Sequence, residues 1–375
     1  MLLITQIAII IFTAKIAGDL CVRIGQPSVL GKLLIGVILG PTFLGIVNDT
    51  EVLKELSEIG VILLMFIAGL ETDIDKFKRS GKASIAVGVF GILIAFVSGY
   101  VVGSFLQMST TESLFLGLIL SATSVSISVQ ALKEVGKLQS REGATILGAA
   151  VIDDLLVMIG LAFMSGITGE QVNVGFVLLK MVSFFVLAIL CSWKLVPWML
   201  KRFAPLKVTE TVVSAGLIIV FTFAFLAELS GVASIIGAYI AGIAISVTDY
   251  KKEVTSKVET ISYSIFIPVF FTSIGIQADF SDLGNGFWTV LFLSLIAILS
   301  KLLGASIGAR ITSFDWNSSF LIGAAMVSRG EVALILAALG LNSRIISEEL
   351  FAVIVAVILI TTIVSPLLMK SAFKR

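Results

Sequence analysis

The sequence predicts an all-α polytopic membrane protein with about 13 transmembrane helices. Of the 375 residues, 58% are hydrophobic and only 14% are charged, a composition that excludes a soluble globular protein. Apolar segments of roughly 20 residues, enough to cross about 30 Å of hydrocarbon, recur along the whole chain. These segments are continuously apolar, whereas the strands of a membrane β-barrel would alternate apolar and polar residues.

The distribution of lysine and arginine predicts the orientation. Almost all of these residues in the predicted loops fall on one side, against Lys54 and Arg344 on the other. Because cytoplasmic loops carry the excess of positive charge, we expect the N-terminus outside the cell membrane and the C-terminus in the cytoplasm. Two further basic residues, Lys301 and Arg329, are predicted at membrane depth and need partners there. The net charge of +1 and the lack of a basic run do not indicate nucleic-acid binding.

An internal repeat is visible in two pairs of segments. Gly69–Ile74 matches Gly275–Phe280, and Ser121–Ser126 matches Ala325–Gly330 at nearly the same separation. Spans 1–6 then correspond to spans 8–13. Because span 7 reverses the direction of the chain, the second repeat is predicted to be inverted, as in alternating-access transporters. The predicted parts are the first repeat, a linker span and the second repeat: residues 1–168, 169–206 and 207–375.

Two adjacent carboxylates, Asp153 and Asp154, lie in the middle of the sixth predicted span. A charged side chain at the bilayer centre costs about 2.5–3.5 kcal/mol on insertion scales, so such residues usually face a partner or mark an ion path. Successive residues of a helix point about 100° apart. We therefore expect different roles for the two carboxylates, one toward a fixed partner and the other toward an open cavity.

Spans 5 and 12 correspond to each other in the repeat, and both are predicted to be discontinuous. Span 12 carries Ser328-Arg329-Gly330-Glu331 at membrane depth, and span 5 is rich in hydroxyl side chains that help to satisfy an unwound backbone. Hydroxyls and freed carbonyls at such breaks are oxygen ligands for a small cation. Close helix packing is an alternative explanation for span 5. Its hydroxyl residues are Ser121, Thr123, Ser124, Ser126 and Ser128.

Lys301 lies in the middle of span 11. A buried lysine without a partner loses its proton, so we expect Lys301 to pair with Asp153 or Asp154. Glu331 is expected near the two aspartates or near the break in span 5. Arg329 is expected to point to another helix face and to cap half-helix carbonyls in a structural role. A purely structural ion pair between the aspartates and Lys301 is the alternative interpretation.

In combination these residues resemble the monovalent cation:proton antiporter-2 family, closest to its NapA/GerN-like sodium/proton branch, over essentially the full chain. The resemblance rests on Asp153-Asp154, Lys301 and Ser328-Arg329-Gly330-Glu331, together with the segments 36–41 (GVILGP) and 268–275 (PVFFTSIG). It implies a homodimer in which each protomer has a core domain, spans 4–6 and 11–13, and a dimerisation domain. No soluble regulatory domain is expected after span 13, which weakens the potassium-efflux interpretation.

The resemblance also implies roles for the site residues. Asp154 binds the cation and carries a proton in exchange, while Asp153 pairs with Lys301 when the cation is absent. Members of the family with two aspartates are generally electrogenic. The predicted Na⁺ ligands are Asp154, Asp153, Thr123 and Ser124, with Arg329 and Glu331 as supporting residues.

The predicted function is therefore electrogenic exchange of Na⁺ or Li⁺ for H⁺ by alternating access. The chain has no histidine, so carboxylates or a lysine must carry the protons. No cofactor is expected besides the transported ions. The alternatives are K⁺/H⁺ exchange and a sodium-coupled solute symporter. An enzyme is not expected, because an intramembrane aspartyl protease needs two aspartates that converge from different helices.

Overall fold

The structure, a computed structural model, describes residues 3–24, 26–48, 50–167, 174–277 and 286–373. All regular secondary structure in these described segments is helical. Nine of the helical segments are long and apolar enough to cross a membrane, and three shorter apolar helices accompany them. The predicted all-α polytopic membrane fold is confirmed, and the count of 13 spans stays a prediction. The predicted repeat boundary at 168/169 and the end of Gly275–Phe280 lie outside the described residues.

The helices of the first part of the chain are numbered in order. They are α1 (Leu3–Arg23), α2 (Ser28–Leu39), α3 (Glu51–Glu71), α4 (Ile74–Arg79), α5 (Gly81–Phe105), α6 (Thr110–Ser121), α7 (Val125–Glu134), α8 (Arg141–Ile167) and α9 (Val174–Phe203). The later helices are α10 (Thr211–Leu229), α11 (Ser234–Ser246), α12 (Lys251–Ile261), α13 (Ile267–Ile276), α14 (Phe287–Ile311), α15 (Trp316–Ala325), α16 (Glu331–Asn342) and α17 (Glu348–Phe373). A π-helical turn, Ser262–Phe266, joins α12 to α13.

The chain divides into two compact units. Unit 1 contains Met1–Glu51, Lys76–Val157 and Phe271–Arg375, and unit 2 contains Val52–Asp75 and Met158–Phe270. Each unit therefore draws on both predicted repeats. Unit 1 includes most of the helices predicted for the core, together with α1 and α2, and it contains all of the site residues discussed below.

In unit 1, α5 and α14 approach each other through glycines. A Cβ at Gly304 would lie 2.6 Å from the Phe90 carbonyl oxygen, and one at Gly308 would lie 2.5 Å from that of Ala86. Residues without side chains let two helix backbones come into contact. Lys301, one turn before Gly304, packs against Gly91 of α5, where a Cβ would lie 3.7 Å from its Nζ. The close crossing thus places the lysine inside the unit.

The two glycine-containing segments of the resemblance, 36–41 and 268–275, contact each other through residues that belong to unit 1. A Cβ at Gly36 would lie 2.1 Å from the Thr272 carbonyl oxygen, and one at Gly275 would lie 2.2 Å from that of Leu33. Any larger residue at either position would push α2 away from α13. These segments are therefore needed for helix packing.

Two helices of unit 1 are interrupted, at the stretches where the sequence predicts breaks. The first interruption, residues 122–124, separates α6 from α7, and the second, residues 326–330, separates α15 from α16. Each interrupted helix lies in the chain between two long helices, α5 and α8 in one case and α14 and α17 in the other. This order of elements agrees with the predicted repeat, whose inversion stays a prediction.

Unit 2 uses the same kind of packing. A Cβ at Gly69 would lie 2.2 Å from the Tyr239 carbonyl oxygen, and one at Gly242 would lie 2.3 Å from that of Phe66, so α3 and α11 touch through their backbones. A buried hydrogen bond of 3.0 Å from the Thr72 hydroxyl to the Tyr239 hydroxyl joins the same two segments.

Candidate functional site

The two interruptions of unit 1 are bonded directly to each other. The backbone N–H of Ser124 donates to the Ser328 carbonyl (2.7 Å), and the Ser328 hydroxyl donates to the Ser124 carbonyl (2.8 Å). The Ser128 hydroxyl donates to the Ala325 carbonyl (2.5 Å). A Cβ at Gly330 would lie 2.6 Å from the Ser124 hydroxyl oxygen, so the close approach requires a glycine there. Ser124 and Ser328 correspond in the predicted repeat.

Asp153 is the centre of a buried polar cluster beside this crossing. The Lys301 ammonium and the Thr123 hydroxyl both donate to Asp153 Oδ2, each at 2.6 Å. Lys301 also donates to the Ser121 carbonyl at 2.6 Å. Asp153 and Lys301 are both 0% exposed, so their ion pair is shielded from solvent. Hydrogen bonds in which the donor or the acceptor is ionised are the strong ones, and here they join α8, α14 and the first interruption.

Asp153 has a second oxygen with a different environment. Oδ1 is buried and accepts no hydrogen bond from the part of the chain that the structure describes. A buried carboxylate oxygen is expensive to leave without a donor or a cation. The pair with Lys301 therefore neutralises the charge of Asp153 and leaves coordination capacity at Oδ1.

Two further predicted site residues, Asp154 and Ser124, lie in the same region. Asp154 is buried next to Asp153 in α8, and Ser124 lies in the first interruption, so Thr123 and Ser124 both belong to the crossing. Glu331 begins α16, but its side chain lies outside the described part of the structure. The structure thus brings Lys301 and Thr123 into contact with Asp153, while the ligand and coupling roles of all these residues stay predictions.

Arg329 links three elements through backbone carbonyls. Its guanidinium donates to the carbonyls of Leu120 (2.5 Å), Ala297 (3.0 Å) and Val327 (3.1 Å). Its side chain is 0% exposed. Leu120 and Ser121 end α6, so Arg329 and Lys301 place two cationic groups on consecutive carbonyls at the negative end of that helix dipole. These contacts agree with the expected capping role of Arg329.

Two residues that form hydrogen bonds in this region are not predicted from the sequence. In α17, the Thr362 hydroxyl donates to the Arg329 carbonyl, and the Ser365 hydroxyl donates to the Ala324 carbonyl at 2.8 Å. Their only sequence signal is the presence of three hydroxyl residues, Thr361, Thr362 and Ser365, in an apolar span. Such residues commonly bond to their own helix, as Thr361 does with the Ile358 carbonyl at 2.8 Å.

A family model described as "Sodium/hydrogen exchanger, transmembrane" matches residues 8–374 of this chain. The chain belongs to the sodium/hydrogen exchanger family. Among its curated relatives, it is 53% identical to "Na(+)/H(+)-K(+) antiporter GerN" of Bacillus cereus, over 98% of this chain and 95% of that protein. It is 51% identical to "Probable Na(+)/H(+) antiporter GerT" of the same organism, over the full length of both chains.

A solved structure of the same fold supports the helical architecture of this exchanger-family chain. The sodium proton antiporter MjNhaP1 from Methanocaldococcus jannaschii superposes with a TM-score of 0.75, covering 99% of this chain and 98% of that one. The two sequences are only 18% identical, so this likeness concerns the fold alone.

Proposed function

We propose that this protein exchanges Na⁺ for H⁺ across a cell membrane by alternating access. The observation that carries the proposal is the buried Lys301–Asp153 pair beside the crossing of two interrupted helices. Either an ammonium group or a metal cation can neutralise a carboxylate in that position. Membership of the exchanger family and the printed names of GerN and GerT support Na⁺ as the cation.

The two aspartates have different roles in this proposal. Asp154 in its ionised form attracts Na⁺ and in its protonated form carries H⁺, so one carboxyl group serves both ions in turn. When Na⁺ also binds the Asp153 carboxylate, Lys301 loses its counter-charge. An unpaired buried ammonium then releases its proton. One Na⁺ then crosses against two H⁺, which makes the exchange electrogenic. The Lys301–Asp153 contact supports this assignment of the pair.

Oxygen atoms of the first interruption complete the proposed Na⁺ ligands. Hard cations take oxygen ligands, and a hydroxyl has two lone pairs besides its donor hydrogen. Thr123 donates that hydrogen to Asp153 and so keeps its lone pairs for a cation. Ser124, whose backbone is held by Ser328, is the neighbouring ligand in this proposal.

Two other functions are less well supported. The partner of Asp153 is a lysine from α14, whereas an aspartyl protease needs a second aspartate from a different helix. Exchange of K⁺ is suggested by the printed name of GerN, which includes that ion. The experiment therefore compares cations directly.

The test is a transport assay with purified protein in liposomes that contain a pH-sensitive dye and are energised by an imposed pH difference. Na⁺, Li⁺, K⁺ and choline are added in turn to the wild type, to Asp154→Asn and to Asp19→Asn. Asp19 is a matched control, because it is an exposed carboxylate paired with Arg23 at 2.6 Å. We expect Na⁺ and Li⁺ to collapse the pH difference in the wild type and in Asp19→Asn but not in Asp154→Asn.

Each other result has a definite meaning. An equal response to K⁺ would assign the protein to K⁺/H⁺ exchange, and no response to any cation from folded wild type would refute ion exchange altogether. Full activity of Asp154→Asn would remove that residue from the mechanism. We further propose a homodimer with the N-terminus outside and the C-terminus in the cytoplasm, which cross-linking in membranes and one-sided labelling of terminal cysteines would test.

A further inference from the structure

The carbonyls of residues 324, 325, 327, 328 and 329, at the end of α15 and in the second interruption, each accept a hydrogen bond, and the Met326 carbonyl oxygen lies 3.3 Å from the Thr123 hydroxyl oxygen. This is unusual for an unwound helix at membrane depth, where freed carbonyls commonly serve as ion ligands. The donors to the five accepting carbonyls, in chain order, are the Ser365 hydroxyl, the Ser128 hydroxyl, the Arg329 guanidinium, the Ser124 backbone N–H and the Thr362 hydroxyl.

The two outermost of these donors come from one helix, α17. Ser365 reaches Ala324 at the end of α15, and Thr362 reaches Arg329 just before Gly330 and α16. Both side chains are fully buried, so bulk solvent does not reach the two hydroxyl groups. One face of α17 therefore holds both ends of the interruption.

The inner carbonyls connect the interruption to the ion-pair cluster. The Thr123 hydroxyl lies 2.6 Å from Asp153 Oδ2 and 3.3 Å from the Met326 carbonyl oxygen. A hydroxyl has one hydrogen to donate, so a shift of Met326 changes how that hydrogen is shared with Asp153. The position of the second interruption is thus coupled to the position of a predicted Na⁺ ligand.

Pro366 gives α17 a local feature at the same place. Proline has no backbone N–H, so the usual bond to the carbonyl four residues earlier, that of Thr362, cannot form. The helix continues through this position. The turn that lacks this hydrogen bond, residues 362–366, contains both Thr362 and Ser365.

We propose that Thr362 and Ser365 are positioning residues for ion exchange, and that α17 sets the spacing of the second interruption. This inference rests on the proposed function and deepens it, since the spacing determines where Thr123 and Asp153 stand when the cation binds. Neither α17 residue touches the ion. Their removal changes the apparent affinity for Na⁺ and the preference among cations more than it changes the maximal rate.

The test compares Thr362→Val with Thr361→Val in the same liposome assay. Threonine and valine have nearly the same shape, and the two adjacent residues are equally buried. They differ in their acceptor, because among the described residues Thr361 donates to the Ile358 carbonyl of its own helix, whereas Thr362 donates to the Arg329 carbonyl. We expect Thr362→Val to raise the half-saturating Na⁺ concentration by about five- to tenfold, the size of one lost buried hydrogen bond, and Thr361→Val to stay within about twofold of the wild type.

Two further variants keep the test decisive. Thr362→Ser retains the hydroxyl, and we expect it to restore the wild-type half-saturating concentration to within about twofold. Ser365→Ala removes the bond at the other end, and we expect a shift in the same direction of about threefold, with an altered ratio of Li⁺ to Na⁺ activity. If Thr362→Val does not fold, the comparison of Ser365→Ala with Thr361→Val decides the question.

Failure of the proposed function and failure of the positioning role give different experimental results. Wild type that exchanges no cation would overturn the proposed function and this inference together. Normal exchange by the wild type, with equal half-saturating concentrations for Thr362→Val, Ser365→Ala and Thr361→Val, would overturn the positioning role alone. A fall in melting temperature without a change in half-saturating concentration would likewise assign the two residues to stability only.

Discussion

The interruption at residues 122–124 receives two cationic side chains at the end of its first half-helix, whereas the one at residues 326–330 is held mostly by neutral donors. Lys301 and Arg329 donate to the Ser121 and Leu120 carbonyls that end α6. The corresponding carbonyls at the end of α15, those of Ala324 and Ala325, accept from serine hydroxyls instead. Segments that correspond in the predicted repeat are thus stabilised in different ways.

The two interruptions therefore differ in whether their donors are charged or neutral. At the first interruption, loss of one cation leaves a buried carboxylate or helix end without its counter-charge. At the second, loss of one hydroxyl removes one neutral hydrogen bond, and the Ala324 carbonyl would still accept from the Val327 backbone N–H at 3.3 Å. Buried charges cost more to leave unpaired than buried carbonyls do. We therefore expect substitutions of the two cations to have larger effects than substitutions of the hydroxyl donors.

The largest effect is expected from Lys301→Met. The change leaves the fully buried Asp153 carboxylate without its partner, which costs about 3–5 kcal/mol in comparable buried pairs. We expect a strongly lowered melting temperature of the purified protein and loss of electrogenic exchange. Thermal unfolding in detergent and the voltage dependence of transport measure these two results.

The matched control for Lys301→Met is the double variant that also carries Asp153→Asn. Removing both charges removes the unpaired carboxylate, so we expect the double variant to be more stable than Lys301→Met alone. If Lys301→Met is as stable as the wild type, the ion pair does not hold the first interruption. The contrast with the second interruption would then fail.

A smaller effect is expected from Arg329→Lys. Lysine keeps the charge but lacks the planar fork that reaches the carbonyls of Leu120, Ala297 and Val327. A hydrogen bond to a charged group contributes about 1.5–3 kcal/mol, so loss of part of this set should lower the melting temperature measurably. Wild-type stability of Arg329→Lys would show that charge alone is sufficient there.

The sequence predicts much of this region because polar and charged residue types are unusual at membrane depth. Hydroxyl residues clustered in span 5 and the polar stretch in span 12 have no other use at membrane depth than broken helices or close packing. A lysine in the middle of an apolar span needs a counter-charge nearby. These arguments predict both interruptions and the proximity of Lys301 to the aspartates.

What the sequence does not predict depends on side-chain direction in three dimensions. Residue by residue, Lys301 has two equally suitable partners in Asp153 and Asp154, and only the resemblance distinguishes them. Thr361 and Thr362 are chemically identical, yet one bonds within its helix and the other bonds to the Arg329 carbonyl. A rotation of α17 by 100° would exchange their roles. Such differences arise from packing and leave no trace in composition or spacing.

The smallest expected effect concerns the starts of the two interrupted helices. The Ser109 hydroxyl accepts from the Glu112 backbone N–H (3.2 Å) at the start of α6, and Asp315 Oδ1 accepts from the Ser318 backbone N–H (2.9 Å) at the start of α15. Hydrogen bonds from the side chain and the backbone of Ser318 lower the pKa of Asp315 below its ordinary value. The contribution of ionised Asp315 to stability is therefore complete above about pH 4 and is lost as the pH falls through its lowered pKa.

Comparison of the wild type with Asp315→Asn tests this sign directly. Asparagine also caps helices but carries no charge, so the wild type should melt slightly higher near neutral pH and the two curves should converge in acid. The other carboxyl groups titrate equally in both proteins and cancel in the difference. For Ser109→Ala, the loss should vary less with pH, because the missing hydroxyl does not ionise. A difference between wild type and Asp315→Asn that grows in acid would mean that the charge of Asp315 opposes the folded state, and the two helix starts would then differ in sign as well as in chemistry.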